Sequence, residues 1–122
     1  MRAGAQLFEG HPDSVAVYAR LASALDGLAS VEERVTKSQV AMRTSGRAFA
    51  YAWRPGQYVN SSVPVVLSLV LAAPTPSPRF KEVVHPSRRV WLHHLELRRP
   101  DDVDDEVCGW LRRAYDEARS GG

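Results

Sequence analysis

Two segments of the chain have the three- and four-residue spacing of apolar positions that is typical of amphipathic helices. Near the N-terminus, behind Pro12 and a predicted N-cap at Asp13, the apolar positions are Val15, Tyr18, Leu21, Ala22, Leu25 and Leu28. In a second helix, predicted to begin at Asp101, they are Val103, Val107, Trp110, Leu111, Ala114, Tyr115 and Ala118. This second helix has acidic residues at its start and arginines toward its end, which the helix dipole favours.

The region between the two helices has the two-residue alternation of β-strands. The pattern predicts strands over residues 31–37, 40–42, 47–53, 63–73, 80–84 and 89–97. Ser45-Gly46 predicts a tight turn, and residues 85–87 are predicted to join the last two strands. The predicted fold class is α+β, with a mainly antiparallel sheet of about five to six strands packed by an N-terminal and a C-terminal helix.

The strand predicted over residues 47–53 separates two kinds of side chain. If it is regular, one face has Phe49, Tyr51 and Trp53 and the other has three alanines. The alanine face would let a helix approach closely, whereas the aromatic face must be core or a binding surface. Because a domain of this size needs large apolar residues inside, we expect at least two of the three aromatic residues to be buried.

Length and composition are those of one ordinary globular domain. The chain has 122 residues, 44% of them hydrophobic and 25% charged, and we expect residues 1–122 to form a single domain with an ordered core over about 7–118. The single cysteine, Cys108, suits a reducing compartment. We see no secretory signal, and the longest apolar stretch falls short of the roughly 20 residues that cross a bilayer. The sequence therefore predicts a cytoplasmic protein without a membrane segment.

The residues that carry catalytic or metal chemistry do not form recognisable motifs. His93 and His94 are adjacent on a predicted strand, so their rings point to opposite faces and cannot both bind one metal ion. The acidic run 101–106 lacks the glycine and the oxygen spacing of a calcium loop and is explained by the helix N-terminus. Nucleophile and phosphate-loop motifs are also absent. We therefore expect no enzyme activity, no metal and no cofactor.

A basic and aromatic set is the strongest functional candidate in the sequence. Arginine side chains bind phosphates and aromatic rings stack on bases, so such a set could hold a nucleic acid. The alternative, which we favour, is that arginines at sheet edges keep the protein soluble and prevent pairing between sheets. The candidate ligand or nucleic-acid surface consists of Lys37, Arg47, Arg88, Arg89, Trp91, His93 and Arg98.

Four short strings in the sequence occur together in a known bacterial family. They are residues 7–12, 35–41, 47–50 and 100–107, the last followed by Trp110-Leu111 and Ala114-Tyr115. In order and spacing, from about Leu7 to Ala118, the chain resembles the domain-of-unknown-function family DUF5655. The resemblance implies a small α+β domain without an established activity and without agreed catalytic residues. It directs attention to the matching polar positions, which are Lys37, Ser38, Arg47 and His93.

Three hypotheses about function remain open. The favoured one is a non-catalytic binding or interaction module, which acts on an unknown protein partner or as a homodimer through its sheet. The alternative is a nucleic-acid-binding accessory domain that uses the basic and aromatic strand surface. The third, with the least support, is an enzyme or small-ligand protein with a pocket between the aromatic strand and a helix, using His93 or Lys37.

Overall fold

The computed structural model describes residues 3–121. A short 3-10 helix, Ala3–Phe8, precedes helix α1, Pro12–Leu25, and helix α2, Asp105–Ser120, closes the chain. Between them lie strands β1 to β6, which span Glu32–Val35, Val40–Thr44, Arg47–Trp53, Val65–Leu71, Phe80–Ser87 and Val90–Leu97. The strands form one sheet in the order β1-β2-β3-β4-β6-β5, and every neighbouring pair is antiparallel. The predicted fold class is confirmed.

The core lies between one face of this sheet and the two helices. Strand β4 is its centre, because the alternate side chains Val65, Leu67, Leu69 and Leu71 are all fully buried. They belong to one apolar cluster with Leu21 and Leu25 of α1 and with Val107 and Leu111 of α2. The helix stripes predicted from the sequence are therefore confirmed as the surfaces that cover this face.

A β-bulge changes the arrangement of aromatic residues on β3. Met42 pairs with Ala50 and Arg43 with Ala48, so Phe49 is an extra residue without a partner on β2. Phe49 and Ala50 are consequently both buried, and the Phe49 ring meets the Tyr115 ring of α2 edge-on, with 5.7 Å between centroids.

Beyond the bulge, Tyr51 and Trp53 lie on the opposite face of the sheet from Phe49 and are only half-buried. The expectation that at least two of the three aromatic residues are buried is wrong, because the bulge sends one toward the helices and leaves two outside. The prediction of a close approach by a helix is confirmed, because Ala50 and Ala52 are fully buried in the helix-facing core.

Three predicted boundaries also differ from the structure. Helix α1 has Asp13 inside its first turn, and no side chain caps it. Helix α2 begins at Asp105 rather than Asp101, because residues 100–102 form a separate 3-10 turn and Asp104 is the N-cap. Strand β5 continues through residues 85–87 with an irregular register, and the chain reverses at Arg88-Arg89. The Ser45-Gly46 turn is confirmed, with positive φ at both residues, as two-residue hairpins favour.

The N-cap of α2 leads to a first prediction. The Asp104 carboxylate accepts a hydrogen bond from the Val107 N–H at 3.0 Å, and this bond, aided by Arg79, holds the pKa of Asp104 below its ordinary value of 3.8. Asp104→Ala should lower the free energy of unfolding by about 0.5–2 kcal/mol. Asp104→Asn, which keeps an acceptor oxygen, should cost less. Urea unfolding followed by circular dichroism measures both.

The charge of Asp104 also makes the stability of the fold depend on pH. Because folding lowers this pKa, its contribution to stability is complete above pH 3.8 and is lost as the pH falls through the folded value. The stability difference between the wild type and Asp104→Asn should therefore narrow between pH 7 and pH 3. An unchanged difference would show that the charge of Asp104 does not contribute.

Candidate functional site

The face of the sheet opposite the helices has an ordered set of side chains. Its central row crosses four strands, because Tyr51 pairs with Ser68, Ser68 with His94, and His94 with Glu82. The row on one side consists of Trp53, Val66 and Glu96, and the row on the other consists of Val70, Leu92 and Val84. A polar row thus lies between two rows that contain most of the apolar side chains.

These rows form the floor of a concave surface. Two adjoining cavities of about 1100 Å³ and 630 Å³ lie over them, and Trp53, Tyr58 and His94 line both. We call this surface the sheet groove and define its floor as Tyr51, Trp53, Ser68, Leu92 and His94. Ser68 is 2% exposed although no described helix covers it, because the larger side chains around it close over its hydroxyl.

A chain of hydrogen bonds runs through the floor of the sheet groove. Trp53 Nε1 donates to Ser68 Oγ at 2.9 Å, and Ser68 Oγ lies 2.7 Å from His94 Nδ1. Ser68 Oγ is able to accept two hydrogen bonds, but its own hydroxyl hydrogen has no acceptor other than His94 Nδ1 among residues 3–121, so we assign that hydrogen to the bond with Nδ1. His94 therefore carries its own hydrogen on Nε2.

The imidazole of His94 is held in its neutral form. Burial lowers its pKa from 6.5, and the neighbouring charge of Glu82 opposes that shift only in part. Its Nε2 atom has no hydrogen-bond partner among residues 3–121 and is open to solvent. At neutral pH the sheet groove thus presents one N–H donor from His94.

His93 has the opposite tautomer on the opposite face. It is fully buried, and the Thr75 N–H donates to its Nε2 at 3.0 Å, so its hydrogen lies on Nδ1, which donates to the Trp91 carbonyl at 3.0 Å. Burial also lowers the pKa of His93. The prediction that the two rings point to opposite faces is confirmed. His93 itself lies in the core, where a nucleic acid does not reach it.

The structure separates the other candidate residues of the sequence into two groups. Arg47, Arg88 and Arg89 lie at one end of the sheet, where the β2–β3 and β5–β6 hairpins turn. Lys37, in the β1–β2 loop, and Arg98, after β6, lie at the other end.

Three of these candidates have partners within the protein, and the first is Arg47, which donates a hydrogen bond to the Gly121 carbonyl. Trp91 extends toward the helix side of the sheet and stacks on His85, with 3.7 Å between ring centroids. Arg98 pairs with Glu96 at 2.9 Å, and Glu96 also pairs with Lys81. The candidates therefore do not form one continuous basic strand surface.

The arginine end is the end of the sheet groove where Arg43, Arg47 and Arg89 line the larger cavity. Within residues 3–121, no carboxylate lies within ion-pair distance of any of the three. Glu117 also lines this cavity, but its carboxylate pairs with Arg113 at 3.2 Å and accepts from the Ala72 N–H at 3.0 Å. The side chains described at the arginine end therefore carry a net positive charge.

Sequence reasoning missed Arg43, Ser68, Leu92 and His94 as members of one site. One signal was available, since Ser68 is the single polar residue in the apolar run 63–73 and so marks a position with a hydrogen-bond partner. Arg43 and Leu92 have no distinguishing pattern. Among the side chains that the structure describes, no group of three His, Cys, Asp or Glu residues comes together as a metal site.

The fold and the sheet groove define a class of protein. It is an α+β domain in which two helices cover one face of a six-stranded antiparallel sheet and the other face has an aromatic groove. In residues 3–121, neither helix has the length and apolar character needed to cross a bilayer.

The family follows from the sequence. The chain matches the family described as "Domain of unknown function (DUF5655)" over residues 4–118, and it belongs to that family. Comparison with curated proteins and with solved structures found no match.

The two histidines give a second prediction. Long-range ¹H–¹⁵N spectra at pH 7.5 should show His93 with its hydrogen on Nδ1 and His94 with its hydrogen on Nε2. Ser68→Ala removes the donor to His94 Nδ1, so only the tautomer of His94 should become mixed. A change at His93 as well would show a general disturbance of the sheet.

Both histidines should also make stability depend on pH. Because their pKa values are lowered in the folded state, the unfolded chain binds more protons below pH 6.5. Their contribution to stability is complete above that pH and declines as the pH falls through the folded values. Equal stability at pH 7.5 and pH 5 would contradict this prediction.

Proposed function

We propose that this chain is a non-catalytic binding module and that the sheet groove is its binding surface. The observation that carries the proposal is a set of half-buried apolar side chains, Tyr51, Trp53 and Leu92, on a face that no described helix covers. Ligand sites are usually concave and mostly apolar, with a few fixed polar groups. The Trp53–Ser68–His94 chain supplies such groups, held in place before any ligand arrives.

The Ser68–His94 pair does not by itself support catalysis. A serine nucleophile needs N–H donors that stabilise the oxyanion of the intermediate. Strand β4 lies between β3 and β6, where its backbone N–H groups belong to the two ladders. Ser68 is also 2% exposed, which limits attack on a substrate. Its role in the proposal is to orient His94.

The sheet groove should bind small organic fragments at its aromatic end, where the rings of Trp53 and Tyr58 lie. The test is a screen of low-molecular-weight fragments by ¹H–¹⁵N correlation spectra. Fragments that bind in the groove should shift the amide signals of Tyr51, Ser68 and His94. Trp53→Ala should weaken the binding of these fragments by about tenfold, or ~1.4 kcal/mol, because the substitution removes an aromatic wall of the groove. The matched control is Trp91→Ala, which removes a half-buried tryptophan from the other side of the sheet.

Two outcomes would count against this placement of the site. One is a screen in which no fragment shifts the signals of the groove residues. The other is that Trp53→Ala and Trp91→Ala weaken fragment binding equally. A protein partner or a second copy would cover the same face, and sedimentation tests self-association directly. If the wild type sediments with a mass well above 13.5 kDa and Trp53→Ala lowers that mass, the groove is the interface of a homodimer.

The second candidate function is binding of single-stranded nucleic acid. Arg88 and Arg89 are exposed at the β5–β6 turn, without a carboxylate within ion-pair distance among residues 3–121. They lie at the same end of the sheet as Arg47, and Tyr51 and Trp53 follow along the groove. Arginines that contact phosphates, together with aromatic rings that stack on bases, are typical of single-strand binding.

Fluorescence anisotropy of labelled DNA and RNA tests this candidate at low and near-physiological salt. Replacing Arg88 and Arg89 together with alanine should weaken binding. It should also reduce the slope of log affinity against log salt concentration by about 0.7–0.9 for each phosphate that the protein no longer neutralises. Arg98→Ala, at the other end of the sheet, is the control and should have little effect. Absence of binding at low salt, or an equal effect in the control, would exclude this surface.

A further inference from the structure

The sheet groove differs in chemistry along its length. Its aromatic end has Trp53 and Tyr58, with 6.0 Å between their ring centroids, and Tyr58 is 63% exposed. Its middle has the His94 imidazole, and its other end has the three arginines. A ligand that satisfies all three zones needs a flat apolar body, a hydrogen-bond acceptor and a negative charge.

We infer that the sheet groove takes a flat aromatic or heteroaromatic ring that carries a carboxylate or a phosphate, an inference that rests on the proposed binding function. The ring lies against Tyr51, Trp53 and Leu92, and the anionic group points to the arginine end. The chemistry is shared by aromatic acids and by nucleotides, and the probes below distinguish these two sources.

The anion is assigned to the arginine end because charges elsewhere in the groove are neutralised or negative. Lys81 and Arg98 share the carboxylate of Glu96, and Glu82 lines the same cavity, so the two positive and two negative charges at the aromatic end cancel. Glu82, opposite His94, is exposed and pairs with no arginine or lysine among residues 3–121, which repels an anion from the middle. Arg43, Arg47 and Arg89 are the cations that line the groove without a carboxylate partner in that range.

The dimensions agree with a ligand of this size. Arg43 lies two positions after Ala41, the β2 partner of Tyr51, so the row of Arg43 and the row of Tyr51 are about 7 Å apart along the strand. One ring that rests on Tyr51 and has a short anionic substituent spans that length. Arg89 approaches from the β5–β6 turn, and its exposed guanidinium is free to form a bidentate contact with carboxylate or phosphate oxygens.

His94 adds a preference for an acceptor on the ring. Its Nε2–H is oriented by the Trp53–Ser68 chain and has no partner among the described residues. A neutral imidazole donates one hydrogen bond from this nitrogen without repelling a cation at the arginine end. A ring oxygen or nitrogen, such as the carbonyl of a pyrimidine, satisfies that donor.

The test compares anionic probes with their neutral counterparts by ¹H–¹⁵N titration at low salt. The pairs are uridine monophosphate with uridine, and indole-3-acetate with indole-3-acetamide. Within each pair the anionic probe should bind at least about fivefold more tightly, with shifts at Tyr51, Leu92 and His94. Arg89→Ala should remove most of this preference, and because Arg89 is exposed, the variant should fold normally. Arg98→Ala is the matched control and should retain the preference.

The outcomes distinguish the inference from the function on which it rests. If the protein prefers the anionic probe only in the uridine pair, the inference is supported with a nucleotide as the ligand. If it prefers the anionic probe in both pairs, the inference is supported for anionic rings in general. Equal binding of charged and neutral probes at the groove would overturn the inference and leave the binding module standing, as would unchanged preference in Arg89→Ala. If neither these probes nor the fragments shift the groove residues, the inference and the proposed function both fail.

Discussion

The structure depends on strand β4, which lies in the middle of the sheet and is buried on both faces for different reasons. Toward the helices it presents Leu67 and Leu69, and their burial holds α1 and α2 in place. Toward the other face it presents Val66 and Ser68, which are covered by side chains from β3 and β6 rather than by a helix. The sheet groove exists because these side chains, instead of another layer of secondary structure, shield the second face.

The bulge on β3 divides the aromatic residues between these two faces. Without the extra residue, Phe49, Tyr51 and Trp53 would all lie on one side. With it, Phe49 fills the core against Tyr115, while Tyr51 and Trp53 remain beside Ser68. One irregular residue in a ladder therefore gives the core a large ring and leaves two others in the groove.

Much of the fold could be predicted, whereas most of the site could not. The spacing in α2 and the alternation along β6 follow from repeats of 3.6 and 2.0 residues, which local sequence expresses directly. The opposite orientation of His93 and His94 is predicted by the same rule. The bulge at Phe49 is not predictable in this way, because it arises from the register with β2. The ion pairs of Arg79 with Asp104 and of Lys81 with Glu96 likewise join residues 25 and 15 positions apart.

The sequence by itself determined the two helices, the antiparallel strands and the family to which the chain belongs, since these depend on periodicity and on short ordered strings. Tertiary structure alone decided that Trp53, Ser68 and His94 form one hydrogen-bond chain. It also decided that Arg43, Arg47 and Arg89 meet at one end of the groove. The physical reason is strand pairing, which joins residues 15 to 26 positions apart and depends on how the whole sheet assembles.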